Sequence, residues 1–310
     1  MTDRPALPQL GEEVFLTDGG IETDLIFHRG FDIPLFACFV LHDDPSAEEV
    51  VEDYFRQYLD IASSRDHGLV LETLTWRASS DWGSQLGYDA AGLRRINERA
   101  AEFLLDLRAN DAGSTVVVSG CVGPRGDAYA DLGSMSPEQA EDYHREQIDV
   151  LSSTGVDLVS ALTITNTAEA IGIARAAAAC DIPVVISFTV EVDGALPTGE
   201  RLADAITVVD AATDDAPAYY MVNCAHPDHV ERALATDDPS LERIRAVRAN
   251  ASRMSHAELD DAEELDDGDP VEFGQQLAAL HARLPNVNVL GGCCGTDHRH
   301  IAQVAAACSS

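Results

Sequence analysis

Eight short apolar runs, many of them rich in β-branched residues, recur along the 310-residue chain with helix-like stretches between them. Runs such as VVVSG, PVVIS and VNVLGG are continuous rather than alternating, which is typical of parallel strands buried on both faces. Eight strand–helix units in one domain favour a closed (β/α)₈ barrel, for which about 250 residues suffice. An open doubly wound sheet stays possible, because periodicity alone does not show closure. The predicted strands are 14–17, 69–75, 115–121, 157–163, 183–189, 218–223, 244–249 and 287–290.

Amphipathic stretches with helical periodicity lie between these runs. The clearest are 48–64, 90–108, 137–153 and 271–284. Ser136 and Pro137 predict a helix start, because serine caps the first turn and proline is favoured at the first helical position. The acidic segment 252–270 interrupts the rhythm, and we expect a long loop there with a helical turn. Since neither an internal repeat nor a low-complexity linker separates the units, the sequence predicts one barrel domain over residues 1–310.

Charge is the most unusual feature of the composition. Acidic residues number 54 and basic residues 20, all of them arginine, for a formal net charge of −34. Such a surface repels nucleic acid and anionic membranes, so we expect neither as a partner. The acidic residues are scattered over the whole chain instead of forming one patch for a cationic partner. We interpret them as an adaptation to high salt, where screening removes the self-repulsion.

The expected location is the cytoplasm. No stretch of the sequence approaches the roughly 20 uninterrupted apolar residues of a membrane span. Residues 1–15 lack a basic region followed by an apolar run, so the sequence predicts no signal peptide. The oligomeric state cannot be read from the sequence, and a homo-oligomer stays open.

Seven cysteines are spaced unevenly along the chain. Without an export signal disulfides are not expected, and an odd, irregular set indicates buried thiols together with a metal or reactive site. Cys224 follows the sixth predicted strand, and the adjacent Cys293 and Cys294 follow the eighth. In a barrel the carboxyl ends of these strands meet at one mouth, where active sites lie.

Three converging thiolates form a donor set for zinc, which accepts sulfur at about 2.3 Å in tetrahedral geometry. Three protein ligands leave one position open, which is typical of a catalytic site. The glycines that flank Cys293 and Cys294 permit the tight backbone that adjacent ligands require. The spacing alone leaves an equal alternative, packed thiols beside glycine turns with Cys224 unrelated. The cysteines at 38, 121, 180 and 308 are expected to be small buried hydrophobic residues.

A second group of candidate site residues follows the first strand. Asp18 ends that strand and is expected to face the mouth. Gly19 and Gly20 permit close backbone approach, so their N–H groups are candidates to receive a substrate carboxylate. The alternative is a plain strand-to-loop turn, where Asp-Gly is common. Asn223 is expected to brace Cys224 from behind.

The motif GGCCGT at residues 291–296, together with Asn223 and Cys224, resembles the zinc-bearing motifs of the homocysteine S-methyltransferase family. LTDGG at residues 16–20 resembles the family's opening aspartate–diglycine motif. Gly120, followed by Gly-Pro at residues 123–124, resembles its third-strand motif. The resemblance runs along most of the chain.

This resemblance implies a barrel in which Cys224, Cys293 and Cys294 bind Zn²⁺ and homocysteine adds its own sulfur as the fourth ligand. Coordination keeps that sulfur as a thiolate, which attacks a methyl group carried on a cationic sulfur or nitrogen. The expected partners are therefore small molecules, a homocysteine-like thiol and a methyl donor. No motif encodes the donor, and S-methylmethionine, S-adenosylmethionine and betaine are all compatible. In the family, the aspartate–diglycine motif contributes to homocysteine binding, which implies that role for residues 18–20.

The chain departs from the family pattern around the predicted mouth. Leu162 stands where the family has a glutamate that contacts the homocysteine amino group, and leucine cannot pair with an ammonium. Two carboxylates, Glu72 and Glu22, stand where the family has other residues. One hypothesis is that Glu72 or Glu22 takes over the ammonium contact, and Glu72 is thus a candidate substrate-binding residue. The alternative is a different acceptor thiol without that amino group.

Three functions are compatible with the sequence. The first is a zinc-dependent thiol methyltransferase. The second is a zinc- or ligand-binding barrel that has lost methyl transfer, an idea suggested by Leu162. The third is a barrel aldolase or hydrolase that uses Asp18 and Glu72 as acid and base, with a structural cysteine cluster.

The high-salt interpretation predicts that the folded state is destabilised in dilute buffer, because 54 carboxylates repel one another when no ions screen them. The measurement is the thermal unfolding midpoint, followed by circular dichroism from dilute buffer to about 1 M potassium chloride and above. We expect the midpoint to rise steeply with salt. A midpoint that is as high without added salt as with it would refute the interpretation.

Overall fold

Parallel strands close into a barrel in the computed structural model, which describes residues 6–128, 135–260, 262 and 264–309. The strands are β1 Phe15–Thr17, β2 Gly68–Glu72, β3 Val116–Val122, β4 Leu158–Ile164, β5 Val184–Phe188, β6 Tyr219–Asn223, β7 Ile244–Ala249 and β8 Val289–Gly292. Each strand pairs with its neighbours in chain order, and β1 also pairs with β8. The predicted (β/α)₈ barrel is therefore confirmed over the open sheet.

Each predicted run overlaps one of these strands, and the larger differences in boundary, in β2 and β8, have identifiable reasons. The sequence predicts the second strand to reach residue 75, but β2 ends at Glu72. The chain then turns toward β3, where the Thr75 hydroxyl donates to the Cys121 carbonyl at 2.6 Å. The eighth strand begins two residues later than predicted. Asn288 precedes it and instead donates through Nδ2 to the Glu13 carbonyl at 2.7 Å, which fixes the segment that leads into β1.

Helices alternate with the strands along the chain. A 3₁₀ turn at Cys38–Asp43 and a π-helical turn at Asp24–His28 lie in the long connection after β1. Within the described ranges, every helix is too short or too polar to span a lipid bilayer. The helices are α1 Ile21–Thr23, α2 Pro45–Ser63, α3 Ser80–Gln85, α4 Ala90–Asn110, α5 Pro137–Ser152, α6 Thr167–Ala179, α7 Leu202–Thr213, α8 Pro227–Ala233, α9 His256–Asp260, α10 Pro270–Arg283 and α11 His298–Cys308.

The four clearest helical patterns correspond to α2, α4, α5 and α10. Helix α5 begins as predicted at Pro137, with a capping box formed by Ser136 and Gln139. Helix α9 is the helical turn expected in the acidic loop after β7. Helix α6 gives a weak pattern because it is rich in alanine and buries residues on most of its faces.

Side chains along each strand alternate between the barrel interior and the outer layer of helices. The interior is apolar in its lower part, where Phe15 and Tyr219 belong to one cluster and Leu7 of the N-terminal segment closes it from below. Toward the carboxyl ends of the strands, buried charged residues such as Glu72 and Arg248 replace apolar ones. The carboxyl ends are therefore the polar end of the interior.

The contact between α5 and α6 depends on Gly172. A Cβ atom at this position would lie 2.4 Å from the Cβ of Ala140 and 2.6 Å from the backbone nitrogen of Glu141. Both distances are far below van der Waals contact, and both neighbours lie on or beside helix backbone. The two helices therefore approach each other more closely than any side chain at position 172 permits.

Gly172→Ala should destabilise the protein by about 1–3 kcal/mol through overpacking. This loss should exceed the roughly 1 kcal/mol that alanine gains over glycine in a helix. The measurement is urea-induced unfolding at constant high salt. The matched control is Gly92→Ala in α4, where the nearest atom to a Cβ is 3.3 Å away on the exposed Asp89 side chain. Equal free energies of unfolding for the two variants would contradict this account of the packing.

Candidate metal centre

Three cysteine sulfurs meet at the carboxyl ends of β6 and β8. The Sγ atom of Cys224 lies 2.6 Å from that of Cys293 and 3.8 Å from that of Cys294. All three sulfurs lie within 4.8 Å of one another, and among the described residues they form the one group of three side chains that could hold a metal ion. The structure thus brings together the three residues that the sequence predicts as ligands.

The backbone around Cys224 is fixed in an unusual conformation. Its φ angle is +55°, in the left-handed region that a side chain rarely adopts. The Cys224 N–H donates to the Arg248 carbonyl at 3.1 Å, and the Cys224 carbonyl lies 2.6 Å from Nε2 of His256. Nδ1 of His256 lies 2.9 Å from the Glu191 carboxylate. These contacts hold a strained residue whose side chain reaches the β8 cysteines.

The loop after β8 is equally constrained. The Cys293 N–H donates to the Ala249 carbonyl at 2.8 Å, which ties this loop to the end of β7. A Cβ atom at Gly292 would lie 2.0 Å from the Thr296 hydroxyl oxygen, so only glycine fits beside the cysteine pair. Gly295 has a φ angle of +79° and turns the chain back toward α11.

The donor set fits zinc. The 3.8 Å between the sulfurs of Cys224 and Cys294 is about the separation of two thiolates that each lie ~2.3 Å from one tetrahedral ion. The 2.6 Å between Cys224 and Cys293 is shorter, so this pair has to spread to admit an ion. Hydrogen bonding with Cys224 raises the pKa of Cys293. The group therefore needs a nearby cation to be a set of thiolates at neutral pH.

Asn223 braces the site but makes its contacts inside the protein. Its Oδ1 accepts from the Thr163 N–H at 2.8 Å and from the Ser187 hydroxyl at 2.6 Å, and its Nδ2 donates to the Thr163 hydroxyl at 2.8 Å. Thr163 has a φ angle of +62° and lies where the pairing of β4 shifts register. Asn223 thus holds a bulge of β4 beside the cysteines, and its Nδ2 lies 4.0 Å from the Cys293 sulfur. These contacts favour a structural role for Asn223 over direct substrate binding.

Asp18 faces the mouth, but protein groups occupy its carboxylate. Oδ1 accepts from Arg248 at 2.6 Å, and Oδ2 accepts from the Tyr54 hydroxyl at 3.0 Å. Burial raises the pKa of Asp18, although Arg248 and Tyr54 oppose the shift. Both interactions position the start of the loop after β1 relative to β7 and α2.

The expectation that both glycine N–H groups receive a substrate carboxylate is wrong for Gly20. Its N–H donates to the Thr296 carbonyl at 3.0 Å and lies 3.2 Å from the Thr296 hydroxyl. A Cβ atom at Gly20 would lie 2.5 Å from the Cys293 carbonyl oxygen, and one at Gly19 would lie 2.9 Å from the Tyr58 hydroxyl. The close approach that the glycines permit is therefore between the loops after β1 and β8.

Arg248 is the central residue of the site that the sequence reasoning missed. Its guanidinium group contacts residues at the ends of three strands. Nε donates to the Gly292 carbonyl at 3.1 Å, and Nη2 donates to Asp18. Nη1 lies 3.7 Å from the Glu72 carboxylate. Burial lowers the pKa of Arg248, but Asp18 and Glu72 outweigh it and the net shift is upward. The available signal was a pair of arginines, Arg245 and Arg248, within a run that otherwise predicts a buried strand.

Glu72 is buried beside Arg248, with a side chain only 4% exposed. The Ser160 and Cys121 side chains are close enough to lower its pKa, but no described residue makes a hydrogen bond of ordinary length to either carboxylate oxygen. Burial raises the pKa of Glu72 from 4.5 to about 7, and Arg248 opposes the shift. Glu72 is thus a carboxylate with unused hydrogen-bonding capacity.

The other two residues in which the chain departs from the family pattern have different surroundings. Glu22 accepts a hydrogen bond from the Cys38 thiol at 3.5 Å, and burial raises the pKa of Glu22. Leu162 is half-buried and packs on the apolar interior cluster, while its carbonyl accepts from the Trp76 indole N–H at 3.2 Å. Leu162 therefore adds apolar surface at the mouth end of β4.

The family model for homocysteine S-methyltransferases matches residues 15–308 of the chain. The chain belongs to the homocysteine S-methyltransferase family. Its membership confirms both the predicted resemblance and the predicted enzyme class, a methyltransferase.

Similar proteins agree with this assignment over nearly their whole length. Homocysteine S-methyltransferase of Escherichia coli is 26% identical over 321 residues, covering 95% of each chain. Homocysteine S-methyltransferase 2 of Zea mays is 22% identical over 304 residues, covering 90% of this chain and 85% of the maize protein. The crystal structure of the homocysteine methyltransferase MmuM from Escherichia coli in its metallated form has a TM-score of 0.70 at 23% identity, covering 95% of this chain and 96% of that chain. This likeness shows the shared barrel fold.

Glu72→Gln should remove a pH-dependent destabilisation of the folded protein. The pKa of Glu72 rises from 4.5 to about 7 on folding, so the folded state favours the protonated carboxyl. The stability linked to this group is complete below about pH 4.5 and is lost as the pH rises through about 7. Relative to Glu72→Gln, the wild-type protein should lose about 2–3 kcal/mol of unfolding free energy between about pH 5 and pH 8.

Urea-induced unfolding at constant high salt measures this difference. Glu49→Gln on the exposed face of α2 is the matched control, and its stability should follow that of the wild type at both pH values. If the gap between wild type and Glu72→Gln were the same at both pH values, the raised pKa of Glu72 would be contradicted.

Proposed function

We propose that the chain transfers a methyl group to the thiol of homocysteine to give methionine, with a zinc ion held by Cys224, Cys293 and Cys294. The observation that carries the proposal is the meeting of the three sulfurs at the mouth of a barrel from this family. Bound there, zinc would lower the pKa of the acceptor thiol and keep it as a nucleophilic thiolate at neutral pH.

The residues of the chain prepare the site for this reaction. Two residues of the site have strained backbone conformations, Cys224 and Thr163. His256 holds the first of them and Asn223 holds the second. A site held in this way loses little free energy to reorganisation when substrates bind.

The apolar surface of Leu162 suits a reaction in which charge disappears. A cationic donor such as S-methylmethionine, S-adenosylmethionine or betaine loses its positive charge when the thiolate takes the methyl group. The bond between the methyl carbon and the donor atom breaks, and its electron pair stays on the donor while the new carbon–sulfur bond forms. Excluding water at the mouth destabilises the separated charges of the reactants more than the transition state.

The acid–base alternative has less support. Both oxygens of Asp18 accept hydrogen bonds from protein groups, which favours a structural role for this carboxylate over acid–base catalysis. A thiol other than homocysteine remains the second candidate acceptor, and the half-buried Leu162 is the observation that favours it.

Cys294→Ser should abolish stoichiometric zinc and reduce methyl transfer more than about 100-fold, because losing a group that merely orients a ligand already costs roughly 10–100-fold. Zinc is measured by elemental analysis of the purified protein. Methylation is measured with homocysteine and each of the three donors. Cys180→Ser, at the end of α6 and outside the group of three sulfurs, is the matched control and should keep both properties. Full zinc content in Cys294→Ser, or methylation by the zinc-free wild type, would refute the proposal.

A further inference from the structure

Glu72 and Arg248 form a buried charge pair that does not satisfy itself. Their side chains are 4% and 7% exposed, and the Nη1–Oε2 distance is 3.7 Å, which is too long for a hydrogen bond. No described residue makes a hydrogen bond of ordinary length to either oxygen of Glu72, although the Ser160 and Cys121 side chains lie close to it. Buried charges are costly unless they are both paired and hydrogen-bonded, so this pair has capacity for a ligand.

The other two guanidinium nitrogens of Arg248 both donate hydrogen bonds, and these bonds fix the direction in which Nη1 points. Nε donates to the Gly292 carbonyl at 3.1 Å, and Nη2 donates to Asp18 at 2.6 Å. The guanidinium plane is therefore locked against β8 and the loop after β1. Nη1 is left on the side of β2, where Glu72 lies.

The pair borders the same opening as the cysteine sulfurs. Glu72 is the last residue of β2, and Gly292, which accepts from Arg248, is the last residue of β8. Cys293 follows Gly292 directly, so the guanidinium group of Arg248 lies beside the start of the cysteine pair. The pair and the sulfurs therefore lie at the same end of the barrel.

We propose that Glu72 and Arg248 recognise the zwitterionic α-amino-acid group of the acceptor thiol, with the ammonium on Glu72 and the carboxylate on Nη1 of Arg248. The inference rests on the proposed function, because it assigns the acceptor of that same reaction. In an α-amino acid the nitrogen and the carboxylate oxygens lie roughly 3 Å apart. That spacing is close to the 3.7 Å between Nη1 and Oε2. The ammonium of the ligand can therefore face Glu72 while its carboxylate faces Arg248.

The neighbouring groups cannot serve equally well. The Asp18 carboxylate already accepts from Arg248 and Tyr54. Glu22 accepts from the Cys38 thiol. Leu162 has no charge to offer. Of the three carboxylates, Glu72 is the one with both oxygens buried and without a hydrogen bond of ordinary length from a described residue.

The first test uses the wild-type protein and four thiols: homocysteine, 3-aminopropane-1-thiol without the carboxylate, 4-sulfanylbutanoate without the ammonium, and propane-1-thiol without either. All four place a thiol on a similar carbon chain. We expect kcat/KM to fall roughly 10–100-fold for each charged group removed, which is the range for a hydrogen bond to a charged partner. Equal kcat/KM for homocysteine and propane-1-thiol would overturn the inference.

The second test assigns each charge to its partner. Arg248→Gln should lose the preference for thiols with a carboxylate and keep the preference for those with an ammonium. Glu72→Gln should show the reverse. Arg245→Gln is the matched control, because this arginine lies on the same strand but donates to the Gly11 carbonyl at the opposite end of the barrel. It should keep both preferences.

A merely structural pair gives a different result, namely equal losses toward all four thiols in both variants, and this would overturn the inference. If Arg248→Gln fails to fold, Arg248→Lys keeps the charge, and retention of the carboxylate preference with weaker discrimination supports the assignment. If the wild type methylates none of the thiols, the proposed function fails. Calorimetric binding of the same thiols then decides the inference separately: tighter binding of homocysteine than of its three analogues supports it, and equal binding overturns it.

Discussion

The site depends on one buried guanidinium. The side chain of Arg248 connects β7 to β8 through Gly292, to the loop after β1 through Asp18, and to β2 through Glu72, while its own carbonyl accepts from the Cys224 N–H. The strands and loops that carry the cysteine sulfurs, Asp18 and Glu72 are therefore all fixed relative to Arg248. Removing one partner of such a buried pair typically costs about 3–5 kcal/mol, because a carboxylate is left uncompensated.

Strain and close packing fix the backbone around the cysteine group. Cys224 and Thr163 both adopt left-handed backbone conformations, and each is held by a neighbouring polar side chain, His256 or Asn223. Such conformations persist only where the surroundings over-determine them, and they concentrate at functional sites. Two loops from opposite ends of the chain, after β1 and after β8, approach too closely for a side chain at Gly20. Contacts within the protein therefore fix the backbone from which the sulfurs project.

The barrel and its cysteine group could be predicted from the sequence because their signals are local. Continuous apolar runs indicate parallel strands wherever they occur, and the adjacent Cys293 and Cys294 beside glycines mark a strand end with unusual chemistry. Arg248 could not be predicted in its role, because the meaning of a buried arginine depends on carboxylates more than 170 residues away in the chain. The bulge at Thr163 and the internal use of the Gly20 N–H likewise depend on contacts with distant residues, Asn223 and Thr296.

Salt screens the charges on the surface of a protein much more than the charges in its interior. At about 1 M salt, the Debye length is only ~3 Å, so exposed charges lose most of their mutual interaction. Surface pairs such as Arg95 with Asp43 then contribute little. A pair whose side chains are 4% and 7% exposed is screened much less than a surface pair, because little solvent surrounds it. The proposed recognition of a charged acceptor by Glu72 and Arg248 is thus compatible with the high-salt conditions that the net charge of −34 predicts.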